Sequence, residues 1–131
     1  MTIVWTNGCF DILHRGHVEM FRYARSLGDK LIVGVDTDEK VKATKGDDRP
    51  FNGLADRMLL VSSIRYVDEV YDFGSKKELE DLIKSVKPDI LIVGSDWRGK
   101  EVVGSQYAGR VEFFDRVGDY STTKILEKQK F

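Results

Sequence analysis

Lys30-Leu31-Ile32-Val33-Gly34-Val35 is the run whose reading decides the fold. Its apolar residues occupy consecutive positions instead of alternate ones, the pattern of a strand buried on both faces. Similar short runs lie at residues 3–5, 69–73, 89–94 and 110–114. Between them, residues 18–27 carry an amphipathic helical pattern that stops at Gly28, read as a left-handed helix end. Residues 54–64 and 76–86 also read as helices, the second ending ahead of Lys87-Pro88. Ser121 is placed to cap a last helix over residues 122–128. Residues 41–53, dense in Lys, Asp and Gly, read as a mobile loop over the sheet edge. Five strands alternating with helices predict an α/β fold, a doubly wound, Rossmann-like, five-stranded parallel sheet with helices on both faces. With no internal repeat or linker, residues 1–131 form a single domain in this reading.

The bulk composition narrows the function classes. Apolar residues make up 41% and charged residues 33% of the 131, a globular balance. The net charge of −1 supplies no overall basic field for nucleic acid or an anionic membrane, so any anion site must be local. No apolar run approaches the roughly 20 residues of a membrane span. Met1-Thr2-Ile3-Val4-Trp5 enters an apolar run without a basic leader, so no secretory signal is expected. The single Cys9 has no disulfide partner in the chain, and no Cys/His cluster has zinc-ligand spacing. A reducing cytoplasm is the expected compartment.

A doubly wound sheet binds ligands at the carboxyl ends of its strands, near the point where strand order reverses. The first such loop reads Thr6-Asn7-Gly8-Cys9-Phe10-Asp11-Ile12-Leu13-His14-Arg15-Gly16-His17. His14 and His17, the only two histidines, stand three residues apart around Gly16. Imidazoles donate to phosphate oxygens, and Gly16 lets a phosphate approach the backbone. If a helix begins near His17, its first amides also point at that anion. The absence of G-x-G-x-x-G from this loop argues against a dinucleotide-dependent oxidoreductase.

Gly8-Cys9-Phe10-Asp11-Ile12-Leu13-His14-Arg15-Gly16-His17 resembles the G-x-F-D-x-x-H-x-G-H signature of the cytidylyltransferase-like nucleotidyltransferases. Tyr120-Ser121-Thr122-Thr123-Lys124-Ile125 resembles their second motif, S-T-T-K, and follows about 100 residues later. The resemblance implies attack by an acceptor phosphate oxygen on the α-phosphorus of a nucleoside triphosphate, with pyrophosphate leaving. A phosphate monoester, with a second pKa of about 6, is already mostly dianionic near pH 7. No strong general base is therefore needed, and the site must gather anions and stabilise charge on the transferred group.

Within that likeness His14 and His17 act on the triphosphate. Lys45 closes over it, with Lys42 as a competitor for the role, and Arg116 matches an arginine preceding S-T-T-K in the glycerol-3-phosphate cytidylyltransferase branch. Thr6, Gly8, Cys9, Phe10 and Gly16 belong to the nucleotide-binding loop, with Cys9 and Trp5 read as packing residues more than catalysts. Ser121 and Thr122, at a helix start, suit the leaving phosphates. Asp11 orders the loop or helps hold Mg²⁺, the metal implied by the triphosphate, whose ligands the sequence leaves unknown. A homodimer is implied by the resemblance alone.

For the base and the acceptor, different segments point in different directions. Ile64-Arg65-Tyr66-Val67-Asp68-Glu69-Val70 and Gly94-Ser95-Asp96-Trp97-Arg98-Gly99-Lys100 resemble segments of glycerol-3-phosphate cytidylyltransferases, and Arg57 matches an arginine there. In that likeness Arg65, Gly94, Asp96 and Trp97 bind the nucleotide, and Arg57 and Lys100 bind the acceptor. A carboxylate such as Asp96 can accept from the exocyclic amine of cytosine. Against this, Lys45-Gly46-Asp47-Asp48-Arg49-Pro50-Phe51-Asn52 resembles the K-G-x-x-R-P-x-N of heptose-1-phosphate adenylyltransferases, and Val103-Gly104-Ser105 resembles their A-G-S. Arg49, Arg98 and Arg110 are further partners for an acceptor phosphate.

The leading expectation is CMP transfer from CTP to a phosphorylated polyol or sugar, first of all glycerol 3-phosphate. That would give a CDP-activated precursor for a cell-surface polymer or glycan. The alternatives are an adenylyltransferase using ATP and a heptose 1-phosphate, and a nucleotide-binding module without turnover.

Overall fold

The computed structural model describes residues 1–115; Arg116, Ser121, Thr122 and the helix read at residues 122–128 lie outside the described residues. Five parallel strands, β1 (Ile3–Gly8), β2 (Lys30–Asp36), β3 (Glu69–Phe73), β4 (Ile90–Gly94) and β5 (Arg110–Phe114), form one sheet in the order β3-β2-β1-β4-β5. The order reverses between β1 and β4, so the sheet is doubly wound as predicted. Its registers run Thr6 beside Val33 and Ile92, which brings the carboxyl ends of β1, β2 and β4 to one edge.

The consecutive apolar runs divide between two cores by parity. Val4, Leu31, Val33, Val35, Ile90 and Ile92 face one side, where Phe21 and Ala24 of α1 (Arg15–Ser26) and Val61 of α3 (Leu54–Ser62) cover them. Trp5, Ile32 and Leu91 face the other, against Leu79 and Ile83 of α4 (Lys76–Val86). A strand period of 2 on a sheet covered twice thus needs apolar residues at every position.

Three sequence expectations change. Residues 41–53 are not all loop: α2 (Asp38–Lys45) occupies the first part, capped by Thr37 and carrying Asp38 and Glu39 in its first turn. Only Val41 of this helix is buried, so its sequence gives almost no apolar stripe. Helix α1 starts at Arg15, three residues before the apolar pattern, because His14 caps it. Finally, Gly28 is not a left-handed helix end; α1 closes through Leu27 in the right-handed region. A Cβ on Gly28 would stand 2.7 Å from the Thr2 carbonyl oxygen and 2.8 Å from Val4 Cγ2. The glycine is required by the passage of the chain beneath β1.

Gly28→Ala should therefore lower stability by about 1–3 kcal/mol, the usual cost of overpacking. Urea denaturation reads this directly, and an unchanged midpoint would show that the contact relaxes freely.

Candidate active site

A cavity of about 420 Å³ opens at the carboxyl edge, at the reversal point between β1 and β4. Thr6, Asn7, Gly8 and Cys9 form its floor, Asp36, Lys40 and Lys45 one wall, and Val93, Gly94 and Trp97 the other. Lys76, Leu79, Val102 and Val103 close the side toward α4. Thr6 is buried and donates its hydroxyl to the Ile92 carbonyl at 2.8 Å, tying β1 to β4 beneath the opening.

The two histidines are held by the start of α1. Gly16 N–H donates to His14 Nδ1 at 3.1 Å, and His14 N–H donates to His17 Nδ1 at 3.3 Å. The rings stack with centroids 3.8 Å apart and planes 25° from parallel. With Nδ1 accepting, each imidazole carries its proton on Nε2 and presents that N–H as a donor. Burial, then His14, then Lys45 push the His17 pKa down to about 3, so this imidazole is neutral at physiological pH. The Gly16 amide, expected to point at an anion, is instead taken by His14. The histidine carries that donor function outward through its own Nε2–H.

Phe10 does not face the cavity. It is buried, adopts φ +51°, and sets its ring edge-on to His17 at 5.3 Å and against Phe21 at 5.2 Å. A non-glycine residue in the left-handed region stores strain, which the packing of this ring holds in place. Its role is to seat His17. Cys9 lines the cavity as a thiol, because burial raises its pKa more than Arg57 and Lys45 lower it.

Asp11 is an organiser of loops. Its carboxylate accepts from Phe51 N–H and Asn52 N–H, both at 2.8 Å, and from Arg49 Nε at 3.2 Å. Asn52 Nδ2 donates to the Asp11 carbonyl at 2.7 Å. With these acceptors occupied, Asp11 does not suit a magnesium ion, and no group of three or more metal-ligating side chains exists among the described residues. These contacts fit the ordering role.

Arg57, expected to bind the acceptor, is wholly buried. Its Nε donates to the Asn52 carbonyl at 2.9 Å, Nη1 to the Cys9 and Asp36 carbonyls at 2.9 and 2.7 Å, and Nη2 to Asp38 Oδ1 at 2.7 Å. The guanidinium joins the ends of β1 and β2 to the segment before α3 and has no face toward the cavity.

Other predicted residues also lie away from it. Arg65 follows α3 at the amino edge of the sheet, exposed and over the Tyr66 ring at 5.6 Å, because α3 runs from the carboxyl edge to the opposite one. Arg110 opens β5 at that same amino edge and pairs with Glu112. Asp96 is exposed beside Gly94, where its Oδ1 lies 2.6 Å from the place a Cβ would take, and it does not line the cavity. Lys100 stands over the Trp97 ring at 5.8 Å and Arg98 over Phe113 at 4.9 Å. Of the two competing lysines, Lys45 lines the cavity and Lys42 does not. Sequence reading missed Asp36, Lys40 and Lys76, whose signal was only their position at the end of β2 and in the first turns of α2 and α4.

Among the described residues, no helix is long and apolar enough to cross a membrane. The cytidylyltransferase-like family model matches residues 5–128. The bifunctional protein HldE of a Nitratiruptor species is 54% identical over 128 residues, 98% of this chain and 28% of that protein. HldE of Campylobacter fetus subsp. fetus is 46% identical over 129 residues, again 98% of this chain and 28% of that protein. The chain thus spans little more than a quarter of the length of these curated relatives.

Among solved structures, the lipopolysaccharide core biosynthesis protein from Thermoplasma volcanium matches with a TM-score of 0.69 at 29% identity, covering 92% of this chain and 99% of that one. Pantothenate synthetase from Thermus thermophilus shares the fold, with a TM-score of 0.65 at 14% identity over 91% of this chain and 57% of that one. The chain belongs to the cytidylyltransferase-like family of nucleotidyltransferases.

Arg57→Met should destabilise the protein by on the order of 3 kcal/mol, since it strips three carbonyls and Asp38 of their donor. A variant of full stability with only a raised acceptor KM would return Arg57 to the substrate. The depressed pKa of His17 gives a second expectation. The folded state binds fewer protons than the unfolded state between pH 6.5 and about 3, so stability is full above that window and falls with pH through it. Urea melts from pH 7 to 4 should show a wild-type slope steeper than that of His17→Gln by up to about 1.4 kcal/mol per pH unit. Parallel slopes would mean that His17 titrates freely when folded.

Proposed function

We propose that this chain transfers the adenylyl group of ATP to a sugar 1-phosphate of the heptose class, releasing pyrophosphate and leaving an ADP-sugar. One observation carries the choice of branch. Lys45 and Val103, which belong to the two segments resembling heptose-1-phosphate adenylyltransferases, line the cavity. Arg57, Arg65 and Asp96, which carried the likeness to glycerol-3-phosphate cytidylyltransferases, do not. Gly94 and Trp97 of that likeness do line it, but a glycine and an indole ring bear no carboxylate to select cytosine. Kinship with HldE proteins and with a lipopolysaccharide core biosynthesis protein supports the same reading, with a cell-surface glycan as the destination of the product. The expectation of CTP and glycerol 3-phosphate gives way on these grounds.

In this reading the acceptor phosphate dianion attacks the α-phosphorus, a new P–O bond forms, and the bond to the bridging oxygen of pyrophosphate breaks. The nucleophile brings no proton to remove, so the chain's task is to gather anions and hold charge. Lys45 and Lys76 line the cavity and draw the anions into it; His14 and His17 are not among its lining residues, and their Nε2–H groups serve in this proposal as donors to the oxygens of the transferred phosphoryl group from the start of α1. A neutral, oriented donor such as His17 suits this better than a titrating one, because its strength does not vary with pH. Magnesium would enter as a companion of the triphosphate and would neutralise part of its charge. A cytoplasmic location, expected from the composition, and a homodimer, implied by the resemblance, belong to the same proposal.

The test is pyrophosphate release with each of the four nucleoside triphosphates against glycerol 3-phosphate and a set of sugar 1-phosphates. ATP with a heptose 1-phosphate should lead, and His17→Ala should reduce its kcat by about 10²–10³-fold with the fold intact. Faster turnover with CTP and glycerol 3-phosphate would overturn the branch, and release with no pair at all would overturn the enzyme.

A further inference from the structure

Within the cavity at the carboxyl edge, one side chain has the wrong charge for the task. A pocket that must hold a triphosphate and an acceptor phosphate gains from cations, and Lys40, Lys45 and Lys76 line it. Asp36 lines it as well, the one acidic residue among the described lining residues. Its side chain is only 13% exposed, so the charge is poorly screened by water. Placing a carboxylate beside bound polyanions costs Coulomb energy unless it meets something that donates hydrogen bonds.

The other buried or half-buried carboxylates nearby are engaged. Asp11 accepts from three donors and Asp38 from Arg57. Asp36 has one partner among the described residues, the Lys40 ammonium at 3.5 Å. An ionised carboxylate offers about four acceptor sites, so most of its capacity is open toward the cavity. The residue is nevertheless fixed in place. It ends β2, and its own carbonyl is held by the buried Arg57 at 2.7 Å. Cys9 on the cavity floor lies within electrostatic reach of both Asp36 and Lys45. Asp36 and Lys45 thus line the same cavity as Cys9.

We infer that Asp36, positioned by Lys40, is the acceptor-sugar reader: its carboxylate accepts from hydroxyl groups of the sugar ring while Lys45 holds the attached phosphate. The inference rests on the proposed sugar-phosphate reading and names the part of the substrate that this wall recognises. A divalent cation is the competing ligand for such a carboxylate. The Lys40 ammonium at 3.5 Å repels a dication, whereas it adds a further donor for a neutral hydroxyl. A polyol with adjacent hydroxyls fits a bidentate acceptor; inorganic phosphate, itself an anion, is repelled by it.

The experiment measures binding and turnover separately. Titrating the Trp97 fluorescence of wild-type protein with a heptose 1-phosphate and with inorganic phosphate gives the contribution of the sugar. Asp36→Asn and Asp36→Ser should each weaken sugar 1-phosphate binding and raise the acceptor KM by about ten- to a hundredfold, the range for hydrogen bonds to a charged group. ATP KM, inorganic phosphate affinity and thermal midpoint should stay within twofold or a few degrees. An acceptor KM unchanged in both variants overturns the inference, as does a raised magnesium requirement with normal acceptor KM. Wild-type protein that binds sugar 1-phosphate no better than inorganic phosphate also overturns it. If Asp36-dependent sugar binding is found but no triphosphate gives turnover, the inference stands and the proposed reaction falls.

Discussion

Arg57 donates to the carbonyls of Cys9, Asp36 and Asn52 and to the carboxylate of Asp38, residues separated along the chain by as many as 43 positions between Cys9 and Asn52. Strand ends in a parallel sheet leave carbonyls without ladder partners, and at this edge they cannot be covered by a neighbouring strand because the chain departs in different directions. A guanidinium has five donors in a planar fork, enough to satisfy several of them at once. The floor of the cavity, the wall that ends β2 and the segment entering α3 are thereby referenced to one buried group. The edge can be open to substrate on one side because it is closed by Arg57 on the other.

The histidine pair depends on that fixed edge. Phe10 follows Cys9, whose carbonyl Arg57 holds, and takes a left-handed conformation that puts its ring under His17. His17 and His14 then receive backbone N–H donors on Nδ1, which fixes the tautomer of each ring. The positive end of α1 is carried outward through imidazole rings in place of its amides. Reach increases by a ring width, and the donor stays electrically neutral in the case of His17. Charge balance in the cavity then falls to the lysines, which are long and partly solvated and can adjust to anions of different size.

Much of the frame was legible in the residues. β3, β5 and α4 have the bounds their apolar patterns predict, because each has apolar residues at positions that only one periodicity explains. The start of α1 was hidden because His14, Arg15 and Gly16 carry no apolar signal, and α2 because a short charged helix with Val41 alone buried has almost no pattern to read. Of the site, the motif loop was found, but the direction of its side chains was not. Phe10 turns inward through a positive φ that sequence does not announce. Arg57 reads as an acceptor ligand in the sequence because a buried structural arginine differs from a substrate-binding one only through partners distant in sequence. Asp36, Lys40 and Lys76 form no motif at all; topology alone makes them neighbours of the histidine loop.

Residues 46–53 illustrate what such anchoring permits. The segment is hooked to the first loop through Arg49, Phe51 N–H and the two polar ends of Asn52, while Phe51 as a residue is 69% exposed and Asp47 and Asp48 face solvent. Hooks and face are thus carried by different atoms. For protein engineering this is the behaviour of an exchangeable cassette. Combinatorial libraries at positions 47, 48 and 51 would vary the rim while the docking grammar at positions 49 and 52 keeps every member seated on the same scaffold.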